Sequence, residues 1–164
     1  MVFGTTNQSN TSVEFDSTQS LTEPVAGQAR IEATDGTSQI GLTNVTISVP
    51  NGSYGDLIFN PSLFGTVGIT GGTLRVSVLD DLGVTSLFNY SLGNGSNFLT
   101  ITTAGGQRIV STNLAYDLAG GFTDLRDIRI SEVEGPSVPE PASLTLLGLG
   151  LAGMGARRWR QRKA

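Results

Sequence analysis

The sequence has no histidine and no cysteine in 164 residues. That removes imidazole and thiolate metal sites, the cysteine nucleophile and the histidine general base, and with them most hydrolase mechanisms. Disulfides are excluded as well, which leaves the compartment open, because a domain large enough to bury a core can be exported without them. Charge is scarce at 15% of residues, and the single lysine and single tryptophan are Lys163 and Trp159. Up to Gly135, five arginines (Arg30, Arg75, Arg108, Arg126 and Arg129) stand against thirteen acids, a net of −8. An acidic, lysine-free body has no electrostatic footprint for phosphate, so nucleic acid is excluded as a partner.

What the chain does have is glycine, 22 residues of it, and a 38% share of hydrophobic residues separated by Ser, Thr and Asn. The length fits one domain of roughly 150 residues plus a short appendage. The apolar period is two. Val13 and Phe15 alternate with polar neighbours, as do Ala29, Ile31 and Ala33, then Val45, Ile47 and Val49. Leu74, Val76 and Val78 form the cleanest alternation, with Arg75 and Ser77 facing the other way. Phe88, Tyr90 and Leu92 lead into Asn94-Gly95, a dipeptide that favours a hairpin turn. Leu99 and Ile101, Ile109, Leu114, Tyr116 and Leu118, and Ile128 and Ile130 bring the total to about nine or ten short strands. Asp35-Gly36, Asn51-Gly52, Gly71-Gly72, Gly105-Gly106 and Gly120-Gly121 punctuate them. The expectation is an all-β body over residues 1–134, an antiparallel β-sandwich or jelly roll, followed by a single C-terminal hydrophobic helix. Irregular turn spacing argues against a solenoid.

From Gly135 the composition changes. Residues 135–141 hold three of the six prolines, which favours an extended linker. Residues 142–156 then run without a charge, and Arg157, Arg158, Arg160, Arg162 and Lys163 follow within a basic stretch at 157–164. As a helix the uncharged run spans about 22 Å, short of the roughly 30 Å hydrocarbon core. By length alone it suits a helix packed on the body equally well. Gly148, Gly150, Gly153 and Gly155 favour the membrane, since each would cost about 1 kcal/mol in a helix in water. Snorkelling arginines and interfacial Trp159 extend the span, and the positive-inside rule keeps the basic end cytoplasmic.

Val138, Pro139, Glu140 and Pro141, then the uncharged run, then the arginine cluster resemble the PEP-CTERM sorting signal of Gram-negative bacteria, over residues 137–164. The resemblance implies export, retention at the bacterial inner membrane by residues 142–156, and recognition by an exosortase at Pro139, Glu140 and Pro141. The body would then lie outside the cytoplasm, at the cell surface or extracellular once processed, in association with exopolysaccharide or biofilm. In this reading Arg157, Arg158, Arg160, Arg162 and Lys163 are the membrane stop signal. The resemblance also implies a secretory signal ahead of the body, and residues 1–7 have neither a basic start nor a long apolar stretch. The same type of tail names an ice-binding-protein C-terminal family, a label for the tail and not for ice binding. The body resembles, more distantly, the exported β-sandwich domains that precede such tails.

No catalytic and no metal residues are assigned. Asp80 with Asp81, Asp124 with Asp127, and Glu14 with Asp16 are hard-oxygen pairs of the kind calcium uses, but they lack EF-hand spacing, so the expectation is no cofactor, with structural calcium as the alternative. Asn7, Asn10, Asn44, Asn51, Asn89 and Asn94 begin Asn-x-Ser/Thr triplets, which a chain of this composition produces by chance. Tyr54, Tyr90, Tyr116 and a few phenylalanines, with the one tryptophan in the tail, offer only a thin aromatic platform for sugar. Thr100, Thr102 and Thr103, or Thr43 and Thr46, are short of the ranks an ice-binding face would need. The leading function is a non-catalytic surface or matrix protein. Its alternatives are a carbohydrate-binding module and, less favoured, a glycoside hydrolase using Asp or Glu.

Overall fold

The computed structural model describes residues 1–22, 29–33, 41–63, 71–93, 95–117 and 121–135. Leu118, the turns at Asp35-Gly36 and Gly120, Asn94, and the linker, helix and basic stretch expected beyond Gly135 lie outside them. Among the described residues there are ten strands and no helix: β1 Val2–Thr5, β2 Ser12–Asp16, β3 Ile31–Glu32, β4 Asn44–Ser48, β5 Asp56–Leu63, β6 Gly72–Asp80, β7 Thr85–Leu92, β8 Leu99–Thr102, β9 Ile109–Tyr116 and β10 Phe122–Ser131. They form two sheets, β1-β2-β4-β9-β6-β7 and β3-β10-β5-β8, with every pairing antiparallel. The fold is an antiparallel β-sandwich.

Period-two patterning explains the packing, because alternate side chains leave a strand on opposite faces. Leu74, Val76 and Val78 are buried while Arg75 is exposed. They lie across from Tyr116, Leu114 and Thr112 of β9, and Val45 and Ile47 continue the same inner face on β4. Ile31, Leu57, Phe59, Ile101 and Leu125 meet them from the smaller sheet. Each such apolar side chain contributes about 1.5–3 kcal/mol by leaving water. Tyr54 is sealed in this core, where its hydroxyl donates to Thr112 Oγ1 at 2.8 Å. Burial pushes its phenol well above the usual tyrosine range, and the Thr112 bond opposes that shift.

The strand pattern differs from the expectation in three places. β1 and β5 are additional strands. β5 is central to the smaller sheet despite Pro61, which sits beyond the last residue paired to β8, where no ladder donor is needed. The carbonyl of Pro61 instead accepts from Asn97 Nδ2 at 3.2 Å. Second, Gly72 is not a turn residue: it opens β6, packed so closely under the Tyr116 ring that a Cβ there would collide with it.

The third difference is the turn at Asn94-Gly95. β7 and β8 belong to different sheets, so the chain crosses over there and no hairpin forms. The hairpin partner of β7 is β6, through a turn in which Asp80 Oδ1 accepts from Leu82 N at 3.0 Å and Val84 N at 2.7 Å. Gly83 takes the left-handed conformation that this turn requires, at φ 77°.

Candidate functional surfaces and the C-terminal motif

The proposed sorting residues Val138, Pro139, Glu140 and Pro141, and the stop signal from Arg157 to Lys163, lie outside the described residues. The structure does show where the chain leaves the sandwich toward them. Ser53 and Glu134 exchange backbone hydrogen bonds, both at 2.9 Å. Arg108 reinforces the clamp: its Nε donates to Ser53 Oγ at 2.9 Å, its Nη1 lies 3.3 Å from Glu134, and its Nη2 donates to the Glu132 carbonyl. The last described residue, Gly135, therefore follows a fixed point on the body.

Most carboxylates of the acidic pairs are engaged by protein. Asp80 caps its own turn and also accepts from Gln107 Nε2, and Asp81 Oδ1 accepts from Arg108 N at 3.0 Å. Asp127 takes a left-handed conformation at a bulge of β10 and accepts from Asn60 Nδ2 at 3.2 Å. Asp16 lies 3.8 Å from the amino terminus. Among the described residues no group of three or more carboxylates converges as a cation would require.

Asp124 has the most unusual surroundings. It is wholly buried although its strand register places it on the outer face of the smaller sheet. Two arginines cover it. Arg30 Nε donates to Oδ2 at 2.8 Å, while Arg126 donates from Nε at 2.9 Å and from Nη2 at 2.7 Å. Arg30 also pairs with Glu32. The Asp124 hydrogen bond is the main cause that raises the Arg126 pKa above its ordinary value. Such a cluster orders a sheet face; its carboxylate is not open to a substrate.

Of the aromatic residues that could form a sugar platform, phenylalanines and not the tyrosines reach the surface. Tyr54 and Tyr116 are buried and Tyr90 is half-buried, whereas among the described residues Phe3, Phe88 and Phe98 are the exposed rings. Of the threonines, Thr100 and Thr102 point outward on β8, but Thr43, Thr46 and Thr103 are half-buried and hydrogen-bonded to Gln19, Asn113 and the Gly55 carbonyl. They form no free rank.

A cleft of about 950 Å³ opens between the β1–β2 hairpin and the β3–β10 side of the smaller sheet. Its lining includes Phe15, Ile31 and Ile130, the Thr6-to-Ser9 turn with its hydroxyls and amides, and Arg30 and Arg129. The turn is held by Thr6 Oγ1, which accepts from Thr11 N at 3.0 Å. No signal in the sequence pointed to this cleft, because it sets the β1–β2 hairpin beside β10, more than a hundred residues further along the chain.

Comparison with curated proteins finds no significant match. Two solved structures are similar in fold, both mutants of CBM29-2 studied for ligand recognition by family 29 carbohydrate binding modules. One has 15% identity and a TM-score of 0.36, covering 74% of this chain and 81% of that one. The other has 17% identity and a TM-score of 0.33, covering 74% and 82%. Likeness at this level says nothing about a ligand. The C-terminal residues give the firmer result: residues 137–162 match the family model of the PEP-CTERM protein-sorting motif, and the chain carries that motif just beyond the clamped end of its β-sandwich.

Proposed function

We propose that the chain is an exported, non-catalytic protein of the bacterial cell surface or extracellular matrix, sorted by its PEP-CTERM motif and processed by an exosortase. The observation that carries this reading is the match over residues 137–162. In this reading the chain has a β-sandwich body at 1–134, a linker with the P-E-P motif at 135–141, a membrane segment at 142–156 and a cytoplasmic basic stretch at 157–164. The body stays outside the cytoplasm because the basic residues resist translocation. The lack of histidine and cysteine, together with carboxylates already bound to arginines and turn amides, supports a structural or interaction role over catalysis. The setting that fits such a protein is exopolysaccharide or biofilm. Residues 135–164, fused behind an exported reporter in cells without exosortase, should hold the reporter in the membrane fraction. A reporter recovered in the soluble fraction would remove the anchor from this reading.

A second reading has the body bind matrix carbohydrate, and the cleft beside the β1–β2 hairpin favours it. A lining that mixes apolar side chains with hydroxyl and amide groups suits sugars, which have apolar faces and polar edges. The full chain should then be retained on immobilised exopolysaccharide, and Asn7→Ala with Arg129→Ala should weaken retention several-fold. Retention that both variants leave unchanged would take the cleft out of this reading.

A further inference from the structure

We propose that β7 pairs with β7 of a second copy of this chain, antiparallel about a two-fold axis centred on Phe88. β7 is an edge of the larger sheet: β6 bonds one flank, and among the described residues no strand bonds the other. Apolar exposure concentrates there. Of the exposed large hydrophobic side chains, Leu82, Val84, Leu87 and Phe88 lie on this strand and its turn, with Leu87 76% exposed. The strand sequence TSLFNYSL has no charge, no proline and no glycine, and its ladder with β6 has no register shift. It thus lacks the charge, proline and bulge by which edge strands avoid a partner.

The register follows from the hairpin. Asp80 N donates to the Val84 carbonyl at 3.0 Å. Hydrogen-bonded pairs alternate along an antiparallel ladder, so Ser86, Phe88 and Tyr90 direct their backbone groups toward β6, while Thr85, Leu87, Asn89 and Ser91 direct theirs to the open edge. A second β7 that sets Thr85 against Ser91 and Leu87 against Asn89 engages all four positions in both copies, with about eight new backbone hydrogen bonds. A shift by two residues leaves part of this set unused. In the full register the two Phe88 residues face each other in the closer, non-hydrogen-bonded type of pair, where aromatic side chains interact well.

Two further observations fit a second copy in this orientation. Phe88 shares the inner face with buried Val76, its partner on β6, yet is 43% exposed. The smaller sheet leaves it uncovered, and the opposed ring would cover it. The acidic pair Asp80 and Asp81 marks one end of β7, and antiparallel pairing holds the two turns about 25 Å apart, beyond the screening length, whereas parallel pairing would bring them together. Pairing through β7 does not depend on the fate of the C-terminal motif.

The chain has no cysteine, which makes a cross-linking test clean. The full-length chain in detergent micelles, carrying Phe88→Cys, should convert mostly to a disulfide-linked dimer under mild oxidation, since paired Cα atoms of this type are about 4.5 Å apart. Phe3→Cys, on the opposite edge strand β1, should remain uncross-linked. In sedimentation the unmodified chain should be dimeric, and Leu87→Lys, a change at an exposed position, should shift it to monomer with its circular dichroism unchanged. No cross-link at Phe88→Cys, equal cross-linking at Phe3→Cys, or a dimer that Leu87→Lys leaves intact would each overturn the pairing.

Discussion

Val76→Asp is expected to unfold the sandwich, and Arg75→Asp to leave it near wild type. Val76 is wholly buried, with Leu114 on one side and Phe88 on the other, so an aspartate there would place a carboxylate among hydrocarbon with no donor in reach. The penalty for an unpaired buried charge is several kcal/mol, comparable to the whole stability of a domain of about 5–15 kcal/mol. Arg75 is one residue away on the solvent face, and among the described residues it has no ion-pair partner, so its reversal should cost under about 1 kcal/mol. Urea unfolding of the full chain, followed by circular dichroism, compares the two. Equal effects would mean that β6 does not present alternate faces to core and water.

The second large effect concerns Asp124. Arg30→Ala and Arg126→Ala together should destabilise the sandwich by about 3–5 kcal/mol, because they strand a buried carboxylate, whereas either change alone leaves it one guanidinium and should cost about 1–3 kcal/mol. Asp124→Ala added to the double variant removes the stranded carboxylate and should therefore recover part of the loss. A double variant within 1 kcal/mol of wild type in the same urea titration would show that Asp124 finds water once uncovered.

The parts of this fold that were legible in the sequence are those where one strand's own pattern decides its placement. Leu74, Val76 and Val78 declare a face because the core side is apolar and the other side is not. β5 was hidden because Asn60-Pro61 carries the chemistry of a turn, while the residues that make it a strand are its pairings with Arg126 and Leu125 far along the chain. The same reason explains the misplaced hairpin. Asn94-Gly95 is a good turn by local chemistry, but the tighter connection runs through Asp80 and Gly83, whose acidic side chain looked like a cation ligand and proved to be a cap for two amides. Phe88 shows a further limit: its face was readable, but its exposure depends on how far the opposing sheet extends. The cleft was not legible, since nothing local relates the Thr6-to-Ser9 turn to Arg129. The sorting motif was legible in full, because it is defined by linear order: P-E-P, then an uncharged run, then arginines.

The most direct measurement is the intact mass of the chain, expressed behind a secretory leader in paired hosts with and without exosortase. With the enzyme, the product should be shortened to a species that ends near Pro139, Glu140 and Pro141 and has lost the apolar run and the arginines. Glu140→Ala should remain full length in the same host. Identical masses in the two hosts, or an unaltered cut in Glu140→Ala, would contradict sorting through this motif.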